Sequence, residues 1–149
     1  RKLAPIYETD NLKFNGTILS PIPLKHTIPN FGYHLKNPDV SVFVTGDWEG
    51  SNYKNRKKII SLEPNILITE CRYFFEDEMD IAEERMHVHV EDILELKEEL
   101  ENTTIILTHI SHRYRYLDEI FKITKEKDLI LAKNISFNSS GYRIRERFK

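Results

Sequence analysis

The chain has 149 residues, 40% of them hydrophobic and 31% charged, which is the length and composition of one folded domain and not of a disordered segment. Its formal net charge of −2 supplies no global attraction to a polyanion, so any nucleic-acid contact must rest on a local patch. The single cysteine, Cys71, excludes an internal disulfide framework and a cysteine-rich zinc site, and no apolar run approaches the roughly 18 to 20 residues of a membrane span. The sequence opens Arg1-Lys2-Leu3, without an initiator Met or the apolar core of a signal peptide. The expectation is a mature or cut fragment of an intracellular protein with no membrane partner.

In chain order, Leu12 to Leu24 is mostly β-prone and is interrupted by Gly16 and prolines. Phe31-Gly32-Tyr33-His34-Leu35 predicts a short strand, and Asn37-Pro38-Asp39 a turn. Val40 to Thr45 is β-branched and apolar and stops at Gly46-Asp47. Asn65 to Thr69 is a second such run, stopping at Glu70. Asp80 to Met86 predicts a short helix. Val90, Ile93, Leu94 and Leu100 fall on one helical face, with Glu and Lys on the other. Thr103 to Thr108 is a third apolar strand, stopping at His109. Leu117, Ile120, Phe121 and Lys125 predict a further helix, and Leu129 to Ile135 a fourth strand. Buried strands alternating with amphipathic helices indicate an α/β layered domain.

Groups that could carry chemistry sit where those strands end. In α/β sheets the carboxyl ends of strands face the crevice in which ligands bind. Asp47, Glu70 and His109 each close an apolar strand, and His26 follows a fourth extended segment. Any one of them alone reads as a strand ending in water. Together, two imidazoles and two carboxylates from four loops form a donor set suited to zinc or a similar divalent cation.

Five segments carry a resemblance to a known family. They are Pro23-Leu24-Lys25-His26-Thr27-Ile28-Pro29-Asn30-Phe31-Gly32-Tyr33, Val44-Thr45-Gly46-Asp47, Ile66-Leu67-Ile68-Thr69-Glu70-Cys71-Arg72-Tyr73-Phe74, Arg85-Met86-His87-Val88-His89-Val90-Glu91-Asp92-Ile93 and Leu107-Thr108-His109-Ile110-Ser111-His112-Arg113-Tyr114. In order and approximate spacing they resemble the metal and catalytic motifs of metallo-β-lactamase-fold hydrolases of the ribonuclease Z (tRNase Z) kind. The resemblance implies that His26 binds one metal, that Asp47 bridges two, and that His109 binds the other. It implies a water between two zinc ions as nucleophile. It makes Glu70 and His87 a proton-donating pair in which the carboxylate orients the imidazole and keeps it protonated. Read without the family, Glu70 is a surface carboxylate at a strand end and His87 a polar helix-start residue. Arg113, beside His109, is the candidate for holding substrate phosphate, or else it pairs a local carboxylate.

The family's first metal motif, His-x-His-x-Asp-His, belongs upstream of His26 and occurs nowhere in the chain. Residues 1–149 are therefore read as the C-terminal half of the domain, an α/β unit forming half of a four-layer αββα metallo-β-lactamase sandwich. The partner it implies is the N-terminal half, in the same parent chain or another subunit, which would complete the zinc site; RNA is the implied substrate, and a homodimer is allowed. The segment between His26 and Asp47 has room only for a turn, not for the RNA-gripping arm found there in many tRNase Z enzymes. Trp48 stands where the family has Thr. His87-Val88-His89-Val90-Glu91-Asp92 superficially imitates the missing motif, but it lacks the last His and follows the Gly-Asp segment; His89 can equally support His87 or cap the following helix. The tail, Tyr142 to Lys149, interleaves cations and aromatics, as a nucleic-acid contact, an edge strand or a solvated tail would. Two classes stay open. One is a metal-dependent RNA phosphodiesterase; the other is a non-catalytic degenerate subunit acting as a scaffold, for instance in a ribonucleoprotein.

Overall fold

A computed structural model describes residues 11–111, 113–114, 117–132, 136–138 and 141–143. Strands β1 (Leu12–Phe14) and β2 (Thr17–Leu24) form a hairpin, where the sequence alone showed a single interrupted β-prone run. Asn15 and Gly16 make its turn, with φ of 46° and 77°, between the paired Phe14 and Thr17. Two positive φ values in a two-residue loop match the twist of the flanking strands, and Asn-Gly is the pair that adopts them most readily. β2 runs antiparallel to β3 (Asn30–Lys36), and β3 antiparallel to β4 (Ser41–Val44).

From β4 onward the pairing is parallel, through β5 (Ile66–Glu70), β6 (Thr104–Thr108) and β7 (Ile130–Leu131). The seven strands lie in the sheet in chain order. Parallel neighbours need crossover connections, and helices supply them: α1 (Tyr53–Leu62), then α2 (Met79–Glu84) with α3 (Val90–Glu99), then α4 (Asp118–Glu126). A separate hairpin pairs β8 (Ser136–Asn138) with β9 (Gly141–Arg143). The predicted strand over 129–135 is thus β7, with residues 133–135 outside the described residues, as are 144–149 of the tail. No helix among the described residues is long and apolar enough to cross a membrane.

Side chains alternate across the sheet. Phe43, Leu67, Ile105 and Leu107 are buried on one face with Ile59 of α1, Val90, Ile93 and Leu96 of α3 and Ile120 of α4. Helices α1, α3 and α4 therefore cover that face. Gly32 belongs to the same layer: a Cβ there would lie 2.4 Å from Phe43 Cζ, so the β3 glycine makes room for the Phe43 ring. The opposite face carries Val42, Val44, Ile66, Ile68 and Ile106, all partly buried, with Tyr33 and Leu35 exposed. None of these joins the buried cluster. The seven-stranded sheet thus has helices packed on one of its two faces.

Helix α1 is not legible from apolar periodicity, because only Ile59, Ile60 and Leu62 supply an apolar stripe. Its ends are marked chemically. The Asn52 side chain accepts from the N–H groups of Lys54 and Asn55, and Glu63 closes the helix at a φ of 44°. Asn55 is 1% exposed and staples the helix to the loop that holds His26. Its Oδ1 accepts from the Lys25 N–H at 2.9 Å, and its Nδ2 donates to the Lys25 and Glu49 carbonyls at 3.1 and 3.2 Å. Asn55→Ala leaves the Lys25 N–H unpaired, while the Lys25 and Glu49 carbonyls keep the Glu49 and Asn52 N–H groups, and an unfolding free energy lower by about 1–3 kcal/mol is expected in urea titration.

Candidate metal and catalytic site

Parallel register brings the strand ends together. Val44 pairs with Ile68, and Ile68 with Ile106, so the chain leaves β4, β5 and β6 at one edge, delivering Asp47, Glu70 and His109 side by side. β3 runs the other way and therefore begins at that edge, which places the β2–β3 turn and His26 there too. Asn30 at the start of β3 locks the two loops, its amide donating to the Thr45 and Asp47 carbonyls.

The polar side chains converge. His109 Nδ1 is 2.7 Å from Asp47 Oδ1, and His87 Nδ1 is 2.8 Å from Glu70 Oε2. The His87 ring centroid lies 5.1 Å from that of His26 and 5.8 Å from that of His109. Two groups of donor atoms lie within 4.8 Å of one another: His26, Asp47 and His87, and Asp47, Glu70 and His109. Asp47 belongs to both.

Each side chain is restrained by what its other atoms touch. The Met86 carbonyl can only accept, so at 2.8 Å it takes the Nδ1–H of His26, which leaves the Nε2 lone pair of His26 for a ligand. Met86 holds that carbonyl with a φ of 55°, and His109 has the same φ. The left-handed region disfavours both side chains, and such strain concentrates at functional sites. Glu70 is 2% exposed with both oxygens engaged: Oε1 accepts the Trp48 N–H at 2.7 Å, and Oε2 takes His87. Trp48 is itself fully buried, and its Nε1 donates to Thr69 Oγ1 at 2.9 Å. The Thr-to-Trp departure thus fills the core beneath the site, while the backbone of residue 48 aims Glu70. The tryptophan was visible in the sequence, but its partner Thr69 was not.

His87 and His89 diverge in environment. His87 Nε2 lies 3.1 Å from Arg72 Nη1. A guanidinium only donates, so in this arrangement Nε2 accepts and Nδ1–H donates to Glu70. Both nitrogens of His89 are used structurally. Its Nδ1 accepts from the Glu91 N–H at 3.2 Å and its Nε2 donates to the Phe75 carbonyl at 3.0 Å, so it caps α3 as the non-metal alternative expects. The box closes with Asp92, which accepts the His89 N–H at 3.0 Å.

Burial pushes the Asp92 carboxyl above its ordinary value, against the lowering effects of the His89 N–H and of Arg56. The folded state therefore keeps a proton that the unfolded state has already released. Stability then falls as pH rises from the ordinary value of 3.8 to the raised folded one, and is flat above it. Urea midpoints measured across that window are expected to show this slope, and Asp92→Asn to remove it.

Arg113 faces a carboxylate and an aromatic ring. Its Nη2 is 3.6 Å from Glu78 Oε1, and its guanidinium is 5.7 Å from the Tyr73 ring centroid, the local carboxylate pairing that the sequence left as its alternative. Glu78 also accepts from the Tyr114 hydroxyl, whose ionisation is pushed strongly up by burial and by that carboxylate. The sequence did not single out Arg72. The one available signal was its position two residues after Glu70, on the segment that runs beside 88–90.

The donor chemistry fits a divalent cation. His26, Asp47 and His109 offer nitrogen and carboxylate atoms of the kind that binds zinc and its neighbours, and the sharing of Asp47 between both groups fits a bridging ligand. Glu70, tied on both oxygens, fits a partner of His87 better than a ligand.

No family model matches the chain. It is 21% identical to the ribonuclease Z of Macrococcus caseolyticus (strain JCSC5402), a match covering 73% of this chain and 50% of that protein. Among solved structures it is similar to the metallo-β-lactamase-fold protein YhfI of Bacillus subtilis, with a TM-score of 0.68 and 14% identity over 87% of this chain and 51% of the other. Human tRNase Z, short form, gives 0.58 and 23% over 68% and 39%, and a diphosphatase of the PhnP family gives 0.61 and 16% over 87% and 45%. The chain spans about half the length of the curated relative it matches. The sheet, its helical layer and these likenesses together establish that the chain has the metallo-β-lactamase fold.

Proposed function

We propose that the chain supplies half of a two-metal phosphodiesterase site acting on RNA, as in the ribonuclease Z proteins it resembles. The observation that carries this reading is Asp47, common to both donor groups, beside a Glu70–His87 pair that faces the same edge. His26 and His109 would hold one cation each, zinc being the natural choice for this donor set, and Asp47 would bridge them. Such cations supply Lewis acidity and neutralise charge on a phosphoryl group under attack. The chain's own residues do the rest. Met86 and Glu70 orient the imidazoles, and His87 delivers a proton to the leaving oxygen. Three ligands do not close two sites, so the proposal includes a companion half bearing the His-x-His-x-Asp-His segment and packing on the sheet face around Tyr33, Leu35, Val42 and Val44.

The test is zinc content and hydrolysis by this chain together with that companion, using an RNA with a 3′ trailer and bis(p-nitrophenyl) phosphate. Zinc retained with both activities is expected. Zinc retained with neither would favour a binding or scaffold subunit.

A further inference from the structure

Arg72 has a place in the site that neither the motif pattern nor the metal donor set explains. Its Nη1 donates to His87 Nε2 at 3.1 Å, and its Nε is buried with no hydrogen-bond partner among the described residues. A buried N–H of a charged group left unpaired is rare and needs a reason. The backbone offers no slack to relieve it. The Arg72 N–H donates to the Val88 carbonyl at 3.1 Å, and the Arg72 carbonyl lies 3.3 Å from the Tyr114 hydroxyl oxygen. Only the side chain can move, and its terminal group already stands beside the imidazole that touches both His26 and His109.

We propose that Arg72 is the phosphate-docking residue of this site, its guanidinium leaving His87 Nε2 for the non-bridging oxygens of a bound phosphodiester. The proposal rests on the phosphodiester reading above and names the residue that recognises the substrate's charge. A guanidinium edge presents two parallel N–H groups that match two phosphate oxygens. The unpaired Nε and the terminal nitrogens form such an edge. Arg113, the other arginine near the site, is drawn off by Glu78 and Tyr73. Transfer of Arg72 has a second effect. While it donates to Nε2, His87 can only accept there, so the proton-delivering face of the imidazole is closed until phosphate arrives. Arg72 is thus a positioning residue for His87 as well as a contact to substrate.

The experiment is nitrogen-15 NMR of histidine-labelled full chain titrated with dimethyl phosphate, a diester that the site cannot readily hydrolyse. In the wild type the His87 Nε2 resonance is expected to start as a hydrogen-bonded acceptor and to move toward a free acceptor as the diester saturates. Arg72→Met is expected to begin at the free-acceptor position and to bind the diester about tenfold or more weakly. Arg72→Lys keeps the charge without the fork and is expected to fall between them. Equal affinity in the wild type and either variant overturns the proposal, as does a His87 Nε2 signal that ignores the diester. Because the readout is binding and the hydrogen bonding of His87 Nε2, it stands apart from turnover. Arg72-dependent binding without hydrolysis by the completed protein would sink the phosphodiesterase reading and leave the docking residue in place.

Discussion

Asp47→Ala is expected to lower zinc affinity of the completed site more than His26→Ala or His109→Ala, and to abolish turnover. The reason is topological. Asp47 is common to both donor groups, so its loss removes a ligand from each cation, while either histidine substitution removes a ligand from one. Loss of a residue that merely orients a ligand typically costs about 10- to 100-fold in metal affinity, and removal of a shared ligand should exceed that. The fold should be nearly indifferent. The Asp47 side chain is 39% exposed, and the loop is held by backbone atoms, through the Asn30 amide on the Thr45 and Asp47 carbonyls and the Trp48 N–H on Glu70. Metal content by atomic absorption, read beside a urea unfolding curve, separates the two effects. Zinc equal to the wild type in a folded Asp47→Ala variant would remove the bridging role.

The parts of this site legible in the sequence are those set by strand physics. A β-branched apolar run that stops at a carboxylate or imidazole states both the strand and the edge at which it ends, and β4, β5 and β6 each did so. Asp47, Glu70 and His109 could therefore be grouped before any coordinates. Helix α1 escaped because its inward face joins an amide, Asn55, to a short apolar stripe of Ile59, Ile60 and Leu62 confined to its last turn. Amide bonds to a distant loop leave no periodicity. The hairpin turn at Asn15-Gly16 carried a strong local signal that was submerged in a run read as one β-prone segment.

Long-range pairings are where sequence reading lost its hold. Arg113 was chosen for adjacency to His109, yet the side chain turns to Glu78, a residue 35 positions earlier in the chain by its numbering. Arg72 lies within the Ile66–Phe74 segment, but its contact with His87 depends on two segments running side by side. Trp48 looked like an anomaly because the residue it serves, Thr69, lies on the neighbouring strand. In each case the residue type was plain and the partner was supplied only by the sheet.

The other large effect is expected at His87. In the completed protein, His87→Ala should slow cleavage of RNA by about 10²- to 10⁴-fold, the usual worth of general acid assistance, while zinc content stays near the wild type. The geometry assigns the imidazole to Glu70 on one nitrogen and Arg72 on the other, which leaves neither committed to a cation. A carboxylate on Nδ1 fixes the ring and balances the charge it acquires when a proton sits on Nε2. The substitution also leaves Glu70 Oε2 without its partner, at a cost of about 1–3 kcal/mol in stability. Oε1 remains held by the Trp48 N–H, so the fold should survive and turnover can be measured. The leaving oxygen decides the interpretation. A ribose oxygen needs a proton as it departs, whereas a nitrophenolate does not, so the variant should recover most of its rate on bis(p-nitrophenyl) phosphate. A donor role requires that difference between substrates. Equal slowing on both, accompanied by lost zinc, would instead identify His87 as a ligand completing the group with His26 and Asp47.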